Sequence, residues 1–170
     1  TWYFVSRENH AYAVQMTPDE LKVARSWSLV SDAERAADWR ISGVHHTAVH
    51  AETGRLFVLM HQGGPETFQE PGTEVWVYDV QTGEKRQTLE LKELSLSIGV
   101  SPGAQPRLYS VDYVMPMPFL ATAWIFATEG KDGVVRRLQQ QVNLYDADSG
   151  EHLRTVDGLP YGYLNMVLPW

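Results

Sequence analysis

The sequence contains no cysteine, which excludes a disulfide framework, a thiolate metal site and a cysteine nucleophile together. It also lacks a basic cluster. Fourteen Lys and Arg stand against 21 Asp and Glu, a formal net charge of -7, so no nucleic acid and no membrane surface is expected as a partner. No long apolar run is present either. The most apolar stretch, VMPMPFLATAWIFA at 114–127, is too short to span a bilayer and is interrupted by Pro116 and Pro118. No signal-peptide pattern is visible. The chain opens on TWYFVS, without Met and already strand-like, so a mature or truncated N-terminus is the expectation.

What the sequence does have is aromatic and hydrophobic content in short segments. Six Trp and an 11% aromatic share lean toward strands. Strand patterns fall at 2–6, 10–16, 21–29, 47–50, 55–61, 74–78, 86–91, 97–100, 107–111, 141–145, 152–156 and 164–168. Turn residues separate them at close spacing, the signature of an all-β meander. One helix is expected, SDAERAADW at 31–39, with Ser31 as N-cap, Glu34 three residues on as a capping box, and Ala33, Ala36 and Ala37 favouring it.

One pattern is written more than once. VWVYDVQTGEKRQTLEL (75–91) is echoed by VNLYDADSGEHLRTVDGL (142–159). In strand–Asp-x-x-Thr/Ser-Gly–strand, the Asp accepts hydrogen bonds from backbone N–H groups of the turn, and the Gly supplies the positive-φ position closing a longer hairpin loop. Asp79 with Gly83 and Asp146 with Gly150 fit that device, which gives them structural roles. A worn third copy lies at 13–27, with Gln15 for the Asp and Asp19 for the Gly. Positions 15, 79 and 146 lie 64 and 67 residues apart. Each period holds an inner strand pair joined by a turn such as 51–54 and an outer pair joined by the Asp…Gly turn. Repeated four-stranded antiparallel units read as β-propeller blades. Their period exceeds the usual one because of two insertions, the 31–39 helix and the segment 113–140. The whole of 1–170 reads as one partial propeller.

Few residues invite chemistry. His45, His46 and His50 in HHTAVH, with His61 nearby, suggest a metal, but the segment reads as strand. At about 3.3 Å per residue, His46 and His50 would stand about 13 Å apart, too far to share an ion held at about 2 Å. No metal site is expected. Asp79 and Asp146 have their bonding assigned to turns. Ser97 and Ser101 lie in no nucleophile elbow, and Gly63, Gly64 and Gly99 form no phosphate cradle. No catalytic and no cofactor-binding residue is expected in this chain. The pair singled out for a partner interface is Trp39 and Arg40, leaving the helix to enter an innermost strand near the propeller mouth. Both residue types are enriched at interface hot spots. The competing reading packs Trp39 beneath the helix and pairs Arg40 locally. The apolar segment 113–140 is a second candidate surface.

The residues 31–63, SDAERAADWRISGVHHTAVHAETGRLFVLMHQG, resemble the heavy subunit of quinoprotein amine dehydrogenases, the methylamine and aromatic-amine enzymes. The likeness continues through PGTEVWVYDVQTGEKRQTLEL (71–91), SIGVSPGAQPRLYSVD (97–112) and LYDADSGEHLRTVDGL (144–159), so it covers 27–159 with one gap. The chain departs from the family at Ile41 and Ser42, where relatives often have Pro-Gly, and in the insertion 113–140. The resemblance implies a seven-bladed β-propeller of more than twice this length, with this chain as its C-terminal portion, about two and a half blades. It further implies a non-catalytic heavy subunit of a periplasmic enzyme that oxidises primary amines to aldehyde and ammonia. The cofactor, tryptophan tryptophylquinone, would be formed from two tryptophans of a separate light subunit, and a blue copper protein would accept the electrons. The remaining propeller blades would accompany this piece, since fewer than three leave an open edge and an uncovered face prone to self-association. The alternative is a stand-alone β-repeat binding module without redox role.

Overall fold

The computed structural model describes residues 1–43, 45–112, 114–119, 123–129, 131–132, 135–137 and 140–159. The expected strand at 164–168 lies outside them. The described chain is all-β apart from one short helix and a 3-10 turn at Pro65–Thr67.

Strands β1 (Trp2–Val5), β2 (His10–Met16) and β3 (Leu21–Ser28) form a three-stranded antiparallel sheet. Helix α1 (Asp32–Ala36) follows, then β4 (Trp39–Ile41), β5 (Thr47–His50), β6 (Arg55–Gln62), β7 (Gly72–Asp79) and β8 (Lys85–Val100). Beyond these lie β9 (Arg107–Asp112), β10 (Val114–Phe119), β11 (Ala123–Glu129), β12 (Val135–Arg137), β13 (Gln140–Asp146) and β14 (His152–Leu159). Hydrogen bonding links eight of them in the order β14-β13-β9-β8-β7-β6-β4, with β5 also on β6.

That path is two four-stranded units joined through β8. The strands β4 and β5 pair with opposite ends of β6 and act as one innermost strand. Between them the backbone bulges, while Ser42 N–H to Leu59 O (3.0 Å) and Leu59 N–H to His46 O (2.7 Å) keep the ladder closed. The bulge meets the next unit through a parallel bridge between His45 and Ser97. Alternating antiparallel pairing from β5 through β6 and β7 makes the first part of β8 run opposite to β5, whereas Ser97 runs parallel to it. The chain therefore reverses inside β8. The reversal falls where Glu90 pairs Glu74 but Ser95 pairs Gly72, a bulge that shifts the register. Before it β8 is the outer strand of one unit; after it, paired with β9, it is the inner strand of the next. The sequence pattern separates the two halves at 86–91 and 97–100, which is the same division seen from the side chains.

The apolar run of β6 follows from this stacking. A strand sandwiched between two neighbouring units buries both faces. Leu56, Val58 and Met60 join Trp76, Tyr78 and Ala11 in a core shared with the β1–β3 sheet. Phe57 and Leu59 join Val75, Val77, Leu89, Leu108 and Tyr145 in a core shared with the β9–β13–β14 unit. These are the antiparallel blades of a β-propeller, stacked face to face.

Two expectations are adjusted. Helix α1 is shorter than 31–39: the capping box at Ser31 and Glu34 is formed, but Asp38 adopts a positive φ of 60° and Trp39 already belongs to β4. A residue in that conformation ends a helix. Within the inserted segment 113–140, where no strand pattern was marked, β10–β12 form their own antiparallel sheet. In β10, Pro116 and Pro118 sit two apart, so the N–H groups they lack belong to one side. Among the described residues β10 pairs only with β11, and the prolines blunt its other edge against further strand addition.

Candidate functional site

The connections sort onto two ends of the blades. At one end lie the tight turns 51–54, 80–84, 101–106 and 147–151; at the other lie α1, the 63–71 loop and the β1–β2 turn.

At the turn end, Asp79 Oδ1 accepts from Gln81 N–H (2.7 Å) and Thr82 N–H (2.9 Å), and Gly83 closes the loop at φ 75°. Asp146 Oδ1 accepts from Asp148 N–H (3.0 Å) and Ser149 N–H (2.9 Å), with Gly150 at φ 77°. Those N–H donors, led by Thr82 for Asp79 and by Ser149 for Asp146, hold both carboxyls below the usual carboxylate range, helped by Arg86 and Arg107 respectively. Both groups are therefore fixed anions, unsuited to proton transfer near neutrality.

Each turn also grips the preceding unit. Arg25 on β3 donates to the carbonyls of Val80, Gln81 and Thr82. A Cβ on Gly83 would come within 2.7 Å of Arg25 Nη2 and 2.9 Å of Trp27 Cγ. In the next unit Gln87 Nε2 donates to Asp148 O (3.0 Å), and a Cβ on Gly150 would come within 2.8 Å of Leu89 Cδ2. Arg55 adds bonds to Ala147 O (3.2 Å) and the Asp148 carboxylate (2.6 Å). The tyrosine before each Asp does the same from the strand: Tyr78 Oη donates to Leu29 O, and Tyr145 Oη accepts from Lys92 N–H. Tyr78 and Tyr145 escape a reading based on turns, although the Tyr-Asp dipeptide stands in both copies.

At the loop end lie Trp39 and Arg40. Half-buried Trp39 packs on Trp76 with ring centroids 5.0 Å apart and a 45° tilt. Arg40 Nη2 lies 3.5 Å from Asp38 Oδ1, while its Nε is buried without a partner among the described residues. Arg40 is paired across the ladder with buried His61, whose Nε2 lies 3.2 Å from Thr67 Oγ1. Burial holds the His61 imidazole below its usual value, opposed by the Glu70 carboxylate and reinforced by Arg40. Both nominated residues are thus engaged within the chain, with Asp38 and part of the Trp39 ring left toward solvent. Asn9, missed in the sequence, ties this end together. Held at φ 61°, it accepts Ile41 N–H on its buried side-chain oxygen (2.8 Å) and Leu29 N–H on its carbonyl (2.8 Å).

The histidines of HHTAVH separate. His45 is exposed in the inter-unit bridge, His46 is half-buried with its pKa lowered chiefly by burial, and buried His50 sits beside Thr53 (2.7 Å). Among the described residues no group of three His, Asp or Glu could hold a metal ion. Could this chain instead carry a quinone built from paired indoles? Trp39 and Trp76 are the described tryptophans in ring contact, and they do not suit one. Trp76 is 2% exposed, its Nε1 donates to Glu74 Oε2 (2.7 Å), and Lys85 Nζ stands 3.6 Å over its ring. The Trp76 half of the pair is thus closed to an amine from outside.

Comparison with known proteins bears on what such an array belongs to. The methylamine dehydrogenase heavy chain (MADH) family matches residues 4–132. A methylamine dehydrogenase heavy chain of Paracoccus versutus is 32% identical over 133 residues, 78% of this chain and 26% of that protein. That of Methylorubrum extorquens is 29% identical over 100 residues, 59% of this chain and 24% of that protein. The chain thus spans about a quarter of the length of the curated relatives it matches. The family match over most of the sequence, joined to blades stacked through repeated Tyr-Asp…Gly turns, places this chain in the methylamine dehydrogenase heavy chain family.

Proposed function

We propose that this chain is part of the scaffolding heavy subunit of a periplasmic amine dehydrogenase that oxidises primary amines to aldehyde and ammonia. The quinone, a tryptophan tryptophylquinone, belongs to a separate light subunit, and a blue copper protein takes the electrons. The chain itself contributes shape and a docking face. The observation that carries the reading is the family match over 4–132.

The commitments of the side chains at the turn end are the support for reading the chain as a scaffold. The carboxylates Asp79 and Asp146 are committed to backbone N–H groups, and the Trp76 ring is buried beneath Lys85. The loop end, with Asp38, Trp39 and Arg40, is the face offered to the light subunit, because it presents a ring and charges already held in place.

The test is co-expression of the heavy chain with its light chain, followed by quinone staining and amine-dependent dye reduction in the purified complex. Co-purification of a stained light chain supports the proposal. A heavy chain that recovers no quinone protein and reduces no dye with any primary amine disposes of it.

A further inference from the structure

The segment 113–140 is the part of the chain that the blade pattern does not absorb, and its charges are sorted along its length. Residues 113–128 contain no charged side chain, whereas 129–137 hold Glu129, Lys131, Asp132, Arg136 and Arg137. Register turns that order into a spatial one. β10 follows β9 and ends at Phe119, and β11 returns from Ala123, so the Phe119–Ala123 rung stands at the far end of the hairpin. Among the described residues β12 pairs only with Thr128 and Glu129, at the root, where Lys131 Nζ lies 3.4 Å from the exposed Glu90 carboxylate of β8. The acidic balance that argues against a membrane surface for the whole chain, a net charge of -7, is reversed at this root, where three of the five charges are positive.

The last three rungs of the hairpin pair Phe119 with Ala123, Pro118 with Trp124 and Met117 with Ile125. Neighbouring rungs belong to opposite faces, so both faces of this end are apolar. β10–β12 pack on one another, and among the described residues no blade strand packs alongside them to a comparable extent. A docked protein covers one face of a sheet and leaves the other in water, whereas a tip entering between lipids has both faces covered at once. Three rungs span about 10 Å, the depth to which interfacial elements enter the headgroup–acyl boundary. Val114 stands five residues from Phe119, about 17 Å by the same measure. That sets Lys131, Arg136 and Arg137 about 7 Å above the boundary, within the ~10 Å reach of a charged surface. Pro116 and Pro118 also remove two N–H donors from β10, which lowers the cost of taking a strand edge out of water.

We infer that the β10–β11 hairpin is a shallow anchor for an anionic lipid surface, its last three rungs entering the acyl boundary and Lys131, Arg136 and Arg137 meeting the headgroups. The inference rests on the inserted segment and is independent of the amine reading.

The experiment uses the 170-residue chain with vesicles of phosphatidylcholine, alone or mixed with anionic phosphatidylglycerol, read by flotation and by fluorescence quenching with brominated lipid. Binding to the anionic vesicles is expected, with quenching on the unsubstituted chain that Trp124→Phe removes. Trp124→Ser should weaken binding at least tenfold. Arg136→Gln combined with Arg137→Gln should weaken it about tenfold, and added salt should do the same. Trp2→Ser, at an exposed position on β1, should leave binding unchanged. No binding, equal binding to uncharged vesicles, or binding lost with Trp2→Ser and kept with Trp124→Ser would overturn the inference. Sedimentation without lipid separates the rival occupant: self-association abolished by Trp124→Ser would make a second copy the partner and refute the lipid assignment.

Discussion

Tyr145 and Lys92 belong to different blades, and the hydroxyl of the first accepts the backbone N–H of the second at 2.9 Å. Tyr78 mirrors this contact one blade earlier by donating to Leu29 O. Removing the Tyr78 hydroxyl strands a buried carbonyl, and removing that of Tyr145 leaves a part-buried N–H without its partner. Tyr145→Phe and Tyr78→Phe should each cost about 1–3 kcal/mol, read as a lowered denaturation midpoint at unchanged slope. Burial also raises both phenol pKa values. The sign follows: the unfolded phenols ionise near pH 10 while the folded ones stay neutral, so stability present below that pH is lost as pH rises past it. The tyrosine-to-phenylalanine variants should show a shallower alkaline loss.

Gly150 is held twice, by a φ of 77° and by Leu89. Gly150→Ala should destabilise by about 1–3 kcal/mol. Leu89→Ala removes the methyl group that the new Cβ strikes. The double variant should therefore lose less than the sum of the single losses, with a coupling above about 0.5 kcal/mol.

How much of this was legible beforehand depends on what each feature is made of. The Asp…Gly turns are local, so Asp79, Gly83, Asp146 and Gly150 could be read from spacing alone. The blade array followed from their recurrence. Arg25, Gln87, Tyr78 and Tyr145 act across blades, and nothing in a linear pattern says which strand a donor will face. The end of helix α1 was missed because Ala37 and Trp39 carry no stop signal, and the break rests on the positive φ of Asp38. For Arg40, residue type suggested an interface, with local pairing as the competing reading; that its partner is Asp38 and that it stands opposite His61 are set by the ladder.

Burial holds His46, His61 and His152 below the usual imidazole value of 6.5. A depressed folded pKa contributes stability that is full above the unfolded value and is lost as pH falls through the folded one. Melting temperature should be level near pH 7 and decline as pH drops below 6.5. Groups facing His61 modulate this, Glu70 opposing and Arg40 adding to the depression. His61→Gln should flatten the decline, and Glu70→Gln should steepen it. Asp79 and Asp146, held low by backbone N–H groups, add a second loss below about pH 4.

Asn9 caps the loop end through Ile41 N–H at 2.8 Å. Asn9→Ala leaves that buried donor unpaired and places alanine at a φ of 61°. A loss of about 2–4 kcal/mol is expected from the two effects together. Asn9→Gly, which relieves only the backbone, should recover part of it in thermal melts.

That successive blades are locked to one another by their tyrosines and turns is tested most directly by residue-resolved hydrogen exchange on Tyr145→Phe. The account predicts faster exchange at Lys92 and along the first part of β8, a blade away from the substitution. Acceleration confined to β13 and β14, with Lys92 exchanging as before, would contradict it.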